Sequence, residues 1–327
     1  MKKVVITGGC GYIGSHISRA LKKDNDKTQI YIIDKVRRDH TLRGINGYLI
    51  DDFSSKKSLL WIQNLEPNVI IHCAGSSLVG ESVINPSEYY ENNISKTEKL
   101  LSSIKEYSEK PLILFSSSAS VYGNPSTSPI EETELLNPIS PYGFSKLVIE
   151  QMLKDFNKAY EIPSVSFRYF NAAGCEPFDF DLGPTTEDTH IIPKLIQSLF
   201  NDSHFTLNGN NFDTEDKTCI RDYVHVWDIA LAHILAIKKY YNSESKESIT
   251  INLGTEHGIS NQELINYINS NYKELKITHG ERRDGDPNKL IASYKLANKI
   301  LQWKPQFSTI EKIIDSTYQW YSKCYKK

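Results

Sequence analysis

The chain has 327 residues, of which 39% are hydrophobic and 24% are charged, as in an ordinary globular protein with one large core or two domains. The formal net charge is −2 at pH 7, and no block of like charges predicts a nucleic-acid or membrane-surface partner. No run of apolar residues is long enough for a transmembrane helix, so we expect no membrane partner.

The first residues and the cysteine usage predict a cytoplasmic protein without a metal site. The apolar run in "MKKVVITGG" is too short for a signal peptide. The five cysteines are odd in number and form no C-x-x-C pair, which argues against a disulfide framework and against a zinc ribbon. The nine histidines show neither H-x-x-x-H nor H-E-x-x-H spacing, so we predict no metal ligands.

Short apolar runs rich in Val, Ile, Phe and Tyr alternate with longer amphipathic stretches over the first half of the chain. The apolar runs predict strands at 2–7, 29–34, 47–51 (the weakest), 68–75, 111–119 and 164–170. The amphipathic stretches predict helices near 12–23, 54–65, 87–107 and 142–160. This alternation predicts an α/β protein with a doubly wound parallel (Rossmann) sheet and right-handed crossovers.

After about residue 170 the rhythm breaks into polar, irregular segments between helical patterns. These helices are expected near 191–200, 226–241, 260–272 and 309–323. We therefore predict a first domain at 1–170 and a second, smaller α+β domain at 171–327. Part of the second, about 218–255, is expected to cross back to the first.

The glycine-rich stretch "ITGGCGYIGSH" follows the first strand and opens the first helix. It contains Gly9-x-Gly11-x-x-Gly14, and Asp34 stands twenty residues past Gly14 at the end of the second strand. Glycines let backbone N–H groups approach a pyrophosphate, and the helix N-terminus favours its negative charge. The spacing predicts a dinucleotide site. The alternative is a glycine turn that serves packing alone.

Asp34 also bears on the choice of cofactor. A carboxylate at this place accepts hydrogen bonds from an adenosine ribose diol and repels a 2′-phosphate, which favours NAD over NADP. Arg37 and Arg38 follow closely and are able to pair with such a phosphate. NADP therefore stays open as an alternative.

A tyrosine and a lysine lie near the start of the helix predicted after the fifth strand. Tyr142 and Lys146 are four residues apart, so they lie on one face of a helix. An amphipathic helix with a solvated lysine is the simpler interpretation. However, Ser118 ends the fifth strand, and ligands of open α/β sheets bind outside the carboxyl ends of strands. A nearby ammonium favours a phenolate, so Tyr142 is predicted to act as a base with Ser118 beside it.

At these residues the sequence resembles the extended short-chain dehydrogenase/reductases and, within them, the UDP-glucose 4-epimerase family, over essentially the whole chain. The Tyr-x-x-x-Lys pair marks only the broad superfamily, whereas "LVGES", "RYFNAAG" and "RDYVHV" are more specific. The other motifs that carry the resemblance are "GGCGYIGSH", "HCAGSSLVGES", "PSEYYENN", "FSSSASVYG", "SPYGFSK", "THIIPKL", "CIRDYVHVWDIA" and "RRDGDP".

The resemblance implies a tightly bound NAD that is regenerated in each cycle. Tyr12 and Ile13 would line the pyrophosphate loop, Asp34 and Lys35 would meet the adenosine ribose, and Asp52 and Phe53 would flank the adenine. The remaining implied NAD-binding residues are Gly8, Gly11, Gly14, Cys73, Ala74, Gly75, Ser77, Asn93, Ser116, Tyr142, Lys146 and Phe170.

The resemblance also implies an isomerase that interconverts UDP-glucose and UDP-galactose at C4 through a transient 4-keto sugar. Tyr142 would be the base, Lys146 would orient and tune it, and Ser118 would assist. The implied substrate-binding residues are Ser118, Tyr142, Asn171, His190, Ile191, Thr206, Leu207, Asn208, Arg221, Arg283, Asp286 and Leu290. A homodimer through the helices near 87–107 and 142–160 is implied as well.

Three positions depart from the family pattern. Ser77 stands where some members have a lysine, and His190 stands where some have an asparagine, so His190 without a ligand stays an alternative. Leu290 replaces a large tyrosine, which leaves UDP-N-acetylhexosamines open as substrates. The remaining alternatives are a 4,6-dehydratase, disfavoured because Ser118-Ala119-Ser120 lacks a carboxylate, and a non-enzymatic NAD-sensing regulator, which would not use the Tyr142–Lys146 pair.

Overall fold

The computed structural model describes residues 2–184, 190–241, 243, 247–282 and 286–326. Its strands are β1 (Lys3–Thr7), β2 (Gln29–Asp34), β3 (Gly47–Ile50), β4 (Val69–His72), β5 (Leu112–Ser118), β6 (Ser164–Tyr169), β7 (Asn171–Ala173), β8 (His204–Asn208), β9 (Ile220–His225), β10 (Ser248–Leu253), β11 (Gly258–Ser260), β12 (Lys276–Gly280) and β13 (Lys289–Leu290).

The helices lie between these strands, except for the last two, which follow β13. They are α1 (Tyr12–Asp24), α2 (Lys56–Leu65), α3 (Val79–Ile84), α4 (Pro86–Tyr89), α5 (Lys96–Ile104), α6 (Pro141–Tyr160), α7 (Ile191–Asn201), α8 (Val226–Tyr240), α9 (Asn261–Asn271), α10 (Lys295–Leu301) and α11 (Ile310–Tyr325). A π-helical segment, Tyr90–Ser95, joins α4 to α5.

Seven parallel strands form the large sheet, in the order β3-β2-β1-β4-β5-β6-β10. The chain runs outward from β1 to β3, returns to β4 beside β1, and then runs outward the other way. This reversal opens a crevice at the carboxyl ends of β1 and β4, where doubly wound sheets bind ligands. The predicted Rossmann fold is confirmed.

The C-terminal half contributes to both parts of the molecule. β10 extends the large sheet by pairing with β6, and α8 packs against α1. Elsewhere, β9 pairs with β7, β11 and β13, while β8 pairs with β12. α7, α9 and α11 supply most of a separate apolar core for these small sheets. The small sheets begin with β7, which follows directly after β6.

The predicted helix at 87–107 is interrupted in the structure. α4 passes into the π-helical segment before α5 begins, and the wider turn places Asn93 inward. Asn93 is only 1% exposed and hydrogen-bonds both Ser76 and the hydroxyl of Ser145 on α6. Helical periodicity alone does not reveal such a turn, and π-turns occur often at functional sites.

Two absences hold for the residues described above. No helix among them combines the length and the apolar character that crossing a bilayer requires. Within the same residues, no three His, Cys, Asp or Glu side chains gather as ligands for a metal ion.

Candidate active site

The glycine loop connects β1 to α1 at the edge of the crevice. Gly8 has φ of +72°, which favours glycine, and its N–H donates to the carbonyl of Ile33 at 2.8 Å. Gly11 is the N-cap of α1, so the first N–H groups of the helix face the crevice. A Cβ on Gly14 would lie 2.4 Å from the carbonyl oxygen of Gly8. This cradle fits a dinucleotide pyrophosphate.

We expect Gly14→Ala to reduce bound NAD sharply and to destabilise the protein by about 1–3 kcal/mol, because the methyl group would force the loop open. The measurements are the NAD content of the purified protein and its melting temperature. Gly80→Ala in α3 is the matched control, since a Cβ there meets nothing within 4 Å. Equal behaviour of the two variants would contradict the cradle.

A cavity of about 360 Å³ continues from this loop along the ends of β1, β2 and β4. It is lined by nine of the predicted NAD-binding residues: Gly8, Gly11, Asp34, Lys35, Asp52, Phe53, Cys73, Ala74 and Gly75. Tyr12, Ile13 and Gly14 form the adjoining first turn of α1. Ser77 is exposed after β4, and Asn93 is buried beside Gly75. Val36, Ser76, Asn92 and Lys96 line the cavity without having been predicted.

Two lysines converge on Asp52 in this cavity. Its carboxylate lies 3.0 Å from Lys35 Nζ and 2.8 Å from Lys96 Nζ. Burial alone would raise the pKa of Asp52, but the hydrogen bonds from Lys96, Ser54 and Lys35 together outweigh it and hold that pKa well below its usual range. Asp52 is therefore a fixed anion beside two cations. No motif in the sequence identifies Lys96, because its partner Asp52 lies 44 residues away along the chain.

The two arginines after Asp34 have other partners. Arg37 lies 2.6 Å from Asp39 and over the ring of Tyr48. Arg38 donates to the carbonyl of Cys10 at 2.9 Å. Asp34 accepts from the N–H of Cys10 at 2.9 Å, which fixes its carboxylate beside the glycine loop.

The face of α6 that carries Tyr142 and Lys146 packs on the carboxyl end of β5. Lys146 Nζ donates to the carbonyl of Ser116 at 2.8 Å and lies 5.7 Å from the centre of the Tyr142 ring. Tyr142 is 9% exposed and forms a side-chain hydrogen bond with Ser118. The three predicted catalytic side chains therefore meet in one place, and the lysine is buried, not solvated.

Burial governs the charges of this pair. It raises the pKa of Tyr142, while the hydrogen bond with Ser118 acts in the opposite direction. Burial also lowers the pKa of Lys146 to about 8. The tuning of the phenol by Lys146 and by oxidised nicotinamide stays a prediction, and the desolvation of Tyr142 opposes it.

A second cavity, of about 610 Å³, lies where β7, β8 and β9 meet α7. It is lined by eight of the predicted substrate-binding residues: Asn171, His190, Ile191, Thr206, Leu207, Asn208, Arg221 and Asp286. Lys194, Gln197, Tyr223 and Asn261 line it too and had not been predicted. Phe170, 7% exposed, precedes β7 and lies between the end of the large sheet and this cavity.

Arg221 is the cation held most firmly in this second cavity. It is 9% exposed, its guanidinium pairs with Asp286, and it donates to the carbonyl of Pro287 at 2.9 Å. A positioned guanidinium fork suits phosphate oxygens. Leu290 is the register partner of Arg221 in the β13–β9 pair. Arg283 lies outside the described residues.

Arg282, the neighbour of Arg283 in the sequence, is half-buried. Its guanidinium lies 4.1 Å from the centre of the Phe212 ring and donates to the carbonyl of Asp286 at 2.7 Å. It therefore braces the loop that carries Asp286 instead of standing free in solvent.

The Rossmann sheet, the glycine cradle and the buried Tyr142–Lys146 pair define an enzyme of the short-chain dehydrogenase/reductase class. The "NAD dependent epimerase/dehydratase family" model matches residues 4–254. The chain belongs to this family.

Named relatives align over nearly the full chain. UDP-glucose 4-epimerase of Streptococcus mutans is 36% identical, with 98% of this chain and 96% of the relative covered. The crystal structure of UDP-glucose 4-epimerase from Brucella ovis in complex with NAD is 34% identical, with a TM-score of 0.91 and 98% of each chain covered. That of the Bifidobacterium longum enzyme with NAD⁺ and UDP is 31% identical, with a TM-score of 0.89 and 98% of each chain covered.

Proposed function

We propose that the chain is an NAD-dependent UDP-glucose 4-epimerase that interconverts UDP-glucose and UDP-galactose. The observation that carries the proposal is the meeting of Tyr142, Lys146 and Ser118 at the end of β5, between a dinucleotide cradle and a cavity with a buried guanidinium. The names of the full-length relatives and the NAD in the Brucella ovis structure support the same activity.

Incubation of the purified protein with UDP-galactose, without added cofactor, tests this function. UDP-glucose is expected to form until the two sugars reach equilibrium, with no net oxidation. A 4-keto-6-deoxy sugar as the product would instead indicate a dehydratase. Unchanged UDP-galactose in protein that contains bound NAD would indicate a non-enzymatic role.

The chain's own groups move the proton in this reaction. Tyr142 takes the proton of the C4 hydroxyl group and later returns it, while Ser118 hydrogen-bonds the same oxygen and holds it in place. Lys146, held by the carbonyl of Ser116, orients the phenol and would contact the ribose of the cofactor. Bound NAD⁺ supplies hydride acceptance and return at C4, together with a positive charge that favours the phenolate.

The second cavity anchors the nucleotide while the 4-keto sugar rotates. Arg221, Asn171 and His190 bind the diphosphate, with Arg283 assigned to the same group. Asp286 meets the uridine ribose and Leu290 faces the sugar. Ile191, Thr206, Leu207 and Asn208 complete the binding site around the base and ribose. The diphosphate must stay bound between the two half-reactions, because only then does hydride return to the other face of the same sugar.

The first cavity would hold NAD. Tyr12, Ile13 and the loop glycines would bind the pyrophosphate, Asp34 and Lys35 the adenosine ribose, and Asp52 and Phe53 would border the adenine. The residues that would complete the NAD site are Cys73, Ala74, Gly75, Ser77, Asn93, Ser116 and Phe170.

We expect NAD to bind at least about tenfold more tightly than NADP, which corresponds to about 1.4 kcal/mol. Asp34 repels a 2′-phosphate, and Arg37 and Arg38 are engaged elsewhere. Titration of cofactor-free protein with both dinucleotides measures the ratio. Tighter binding of NADP would contradict the role of Asp34.

Activity on UDP-N-acetylglucosamine is the second candidate, and Leu290 is the observation that favours it. Leucine is smaller than the tyrosine that closes the sugar 2-position in family members. We expect Leu290→Tyr to lower turnover of UDP-N-acetylglucosamine by about 10–200-fold, the range for a steric change in a pocket, and to spare UDP-galactose. Failure of the unaltered protein to convert the N-acetylated sugar, while it converts UDP-galactose, would reject this candidate.

A homodimer belongs to the same proposal. Tyr90 and Phe144 lie on the two segments predicted to pair, are 38% and 46% exposed, and touch each other. Val83 and Ile84 of α3 are 63% and 78% exposed and extend this apolar surface. Sedimentation of the protein and of a Phe144→Glu variant tests it: the unaltered protein should be dimeric and the variant monomeric.

Two further assignments accompany this function. The NAD-binding domain is assigned to residues 1–170 and the sugar-nucleotide domain to 171–327, with about 218–255 crossing back, as the pairing of β10 with β6 supports. A cytoplasmic location agrees with five cysteines that form no disulfide bond in the part of the chain that the structure describes. Cell fractionation with a tagged chain would test the location.

A further inference from the structure

A buried chain of hydrogen bonds connects helix α8 with the cofactor cavity. His233 Nε2 lies 3.0 Å from the Tyr169 hydroxyl, which lies 3.1 Å from the Ser116 hydroxyl. The Ser116 hydroxyl also lies 3.2 Å from the sulfur of Cys73, which lines the cofactor cavity. His233 is completely buried, and Tyr169 and Ser116 are 6% and 7% exposed. The proposed mechanism uses neither His233 nor Tyr169.

A backbone carbonyl sets the direction of this chain. His233 Nδ1 lies 2.9 Å from the carbonyl oxygen of Ile229, which only accepts hydrogen bonds, so Nδ1 carries the ring proton. Burial lowers the pKa of His233 to about 4, so the ring is neutral at physiological pH and Nε2 is a bare acceptor. The Tyr169 hydroxyl must therefore donate to His233. Its proton points into the core, and its oxygen lone pairs face Ser116.

Tyr169 is a second phenol beside the proposed base. It is the register partner of Ser118 in the parallel β5–β6 pair, so both side chains project from the same face of the sheet as Ser116. Tyr142 forms a side-chain hydrogen bond with Ser118 and interacts electrostatically with Tyr169. Two phenols at one site are therefore candidates for proton exchange with the substrate. The groups that accept their protons distinguish them.

The charged and titratable groups around the two phenols come from several elements. They are Lys146 on α6, Cys73 after β4, His233 on α8 and Tyr89 on α4. Tyr89 donates to Glu81 at 2.9 Å, so its proton is committed elsewhere. His233 is the group that accepts the proton of Tyr169.

We propose that His233 is a positioning residue that keeps Tyr169 protonated and turned inward, so that Tyr142 and not Tyr169 exchanges the proton with substrate. The proposal rests on the proposed function for the identity of that substrate. Its physical content is independent of the substrate: the lone pairs of Tyr169 face Ser116, and this negative end of a dipole disfavours a phenolate at Tyr142. Removal of the acceptor frees Tyr169 and Ser116 to donate toward that side.

Titration of the Tyr142 phenol itself tests the proposal. The phenolate absorbance of each protein, minus that of the same protein with Tyr142→Phe, isolates this residue among the nineteen tyrosines. We expect His233→Leu and Tyr169→Phe each to lower the titration midpoint by about 0.5 pH unit or more. The double variant should shift no further than either single variant. His233→Gln, whose amide oxygen reaches the place of Nε2, should restore the original midpoint.

Two outcomes would overturn the proposal. One is an unchanged midpoint in folded His233→Leu. The other is a shift that adds to that of Tyr169→Phe, since His233 would then act by another route. If His233→Leu does not fold, Tyr169→Phe decides, because it removes a single oxygen and keeps the ring. If the unaltered protein has no epimerase activity, the proposed function is refuted. These titrations would still be interpretable.

Discussion

Replacing Tyr142 with phenylalanine is expected to lower turnover by about 10²–10⁴-fold, the contribution typical of one positioned acid–base group. The ring should stay in place, because it packs edge-on against Tyr89 at 6.5 Å and is 9% exposed. Bound NAD and the melting temperature should therefore be nearly unchanged. The measurements are initial rates with UDP-galactose, NAD content and thermal unfolding.

Tyr160→Phe is the matched control for that variant. It removes the same oxygen at the other end of α6, where Tyr160 is 40% exposed. Its turnover should equal that of the unaltered protein. Turnover of Tyr142→Phe within about tenfold of this control would overturn the assignment of the base.

The second large effect is expected at the buried ion pair between Glu150 and Arg168. Glu150 follows Lys146 by one helical turn, is 1% exposed, and accepts from Arg168 Nη2 at 2.6 Å and from Ser117 Oγ at 2.5 Å. Arg168 is 2% exposed and also donates to the Tyr122 hydroxyl at 2.8 Å. Glu150→Gln leaves this guanidinium buried without a counter-charge, which costs about 3–5 kcal/mol of unfolding free energy.

Chemical denaturation of Glu150→Gln measures that loss. Glu131→Gln is the control, because Glu131 pairs with Lys295 at 3.6 Å where both side chains are more than half exposed. Exposed pairs contribute about 0–1 kcal/mol. If the two variants have the same free energy of unfolding, the buried pair is not the contact that joins α6 to β5 and β6.

These contacts show why the face of α6 that carries Tyr142 is held close to β5. Tyr142, Lys146 and Glu150 stand on successive turns, and their partners on β5 are Ser118, Ser116 and Ser117. Each turn of the helix is thus fixed to the carboxyl end of the strand. The phenol is positioned by a row of contacts and not by its own hydrogen bond alone.

The sequence predicted those features that depend on neighbours along the chain. The glycine loop, Asp34 at the end of β2 and the Tyr142–Lys146 spacing are local patterns, and the alternation of strands with helices determined the class of fold. Substrate residues as far apart as Asn171 and Asp286 were found through the family resemblance, and their gathering around one cavity depends on the pairing of β7 and β13 with β9.

Features that depend on distant or buried partners were missed for physical reasons. In the sequence Lys96 looks like an ordinary helix residue, and only the folded structure places it beside Asp52. The π-helical turn that buries Asn93 leaves the apolar pattern of its helix almost unchanged. The burial that raises the pKa of Tyr142 was not predicted either, since spacing gives the distance between two groups but not their desolvation.

Retention of a deuterium label at C4 tests most directly whether this site oxidises and reduces the same sugar. UDP-galactose labelled at C4 is converted in unlabelled water, and the UDP-glucose formed is analysed by mass spectrometry. We predict that the product keeps its deuterium at C4 and that no reduced cofactor accumulates. Product with hydrogen from solvent at C4, or no product from protein that contains NAD, would contradict the proposed mechanism.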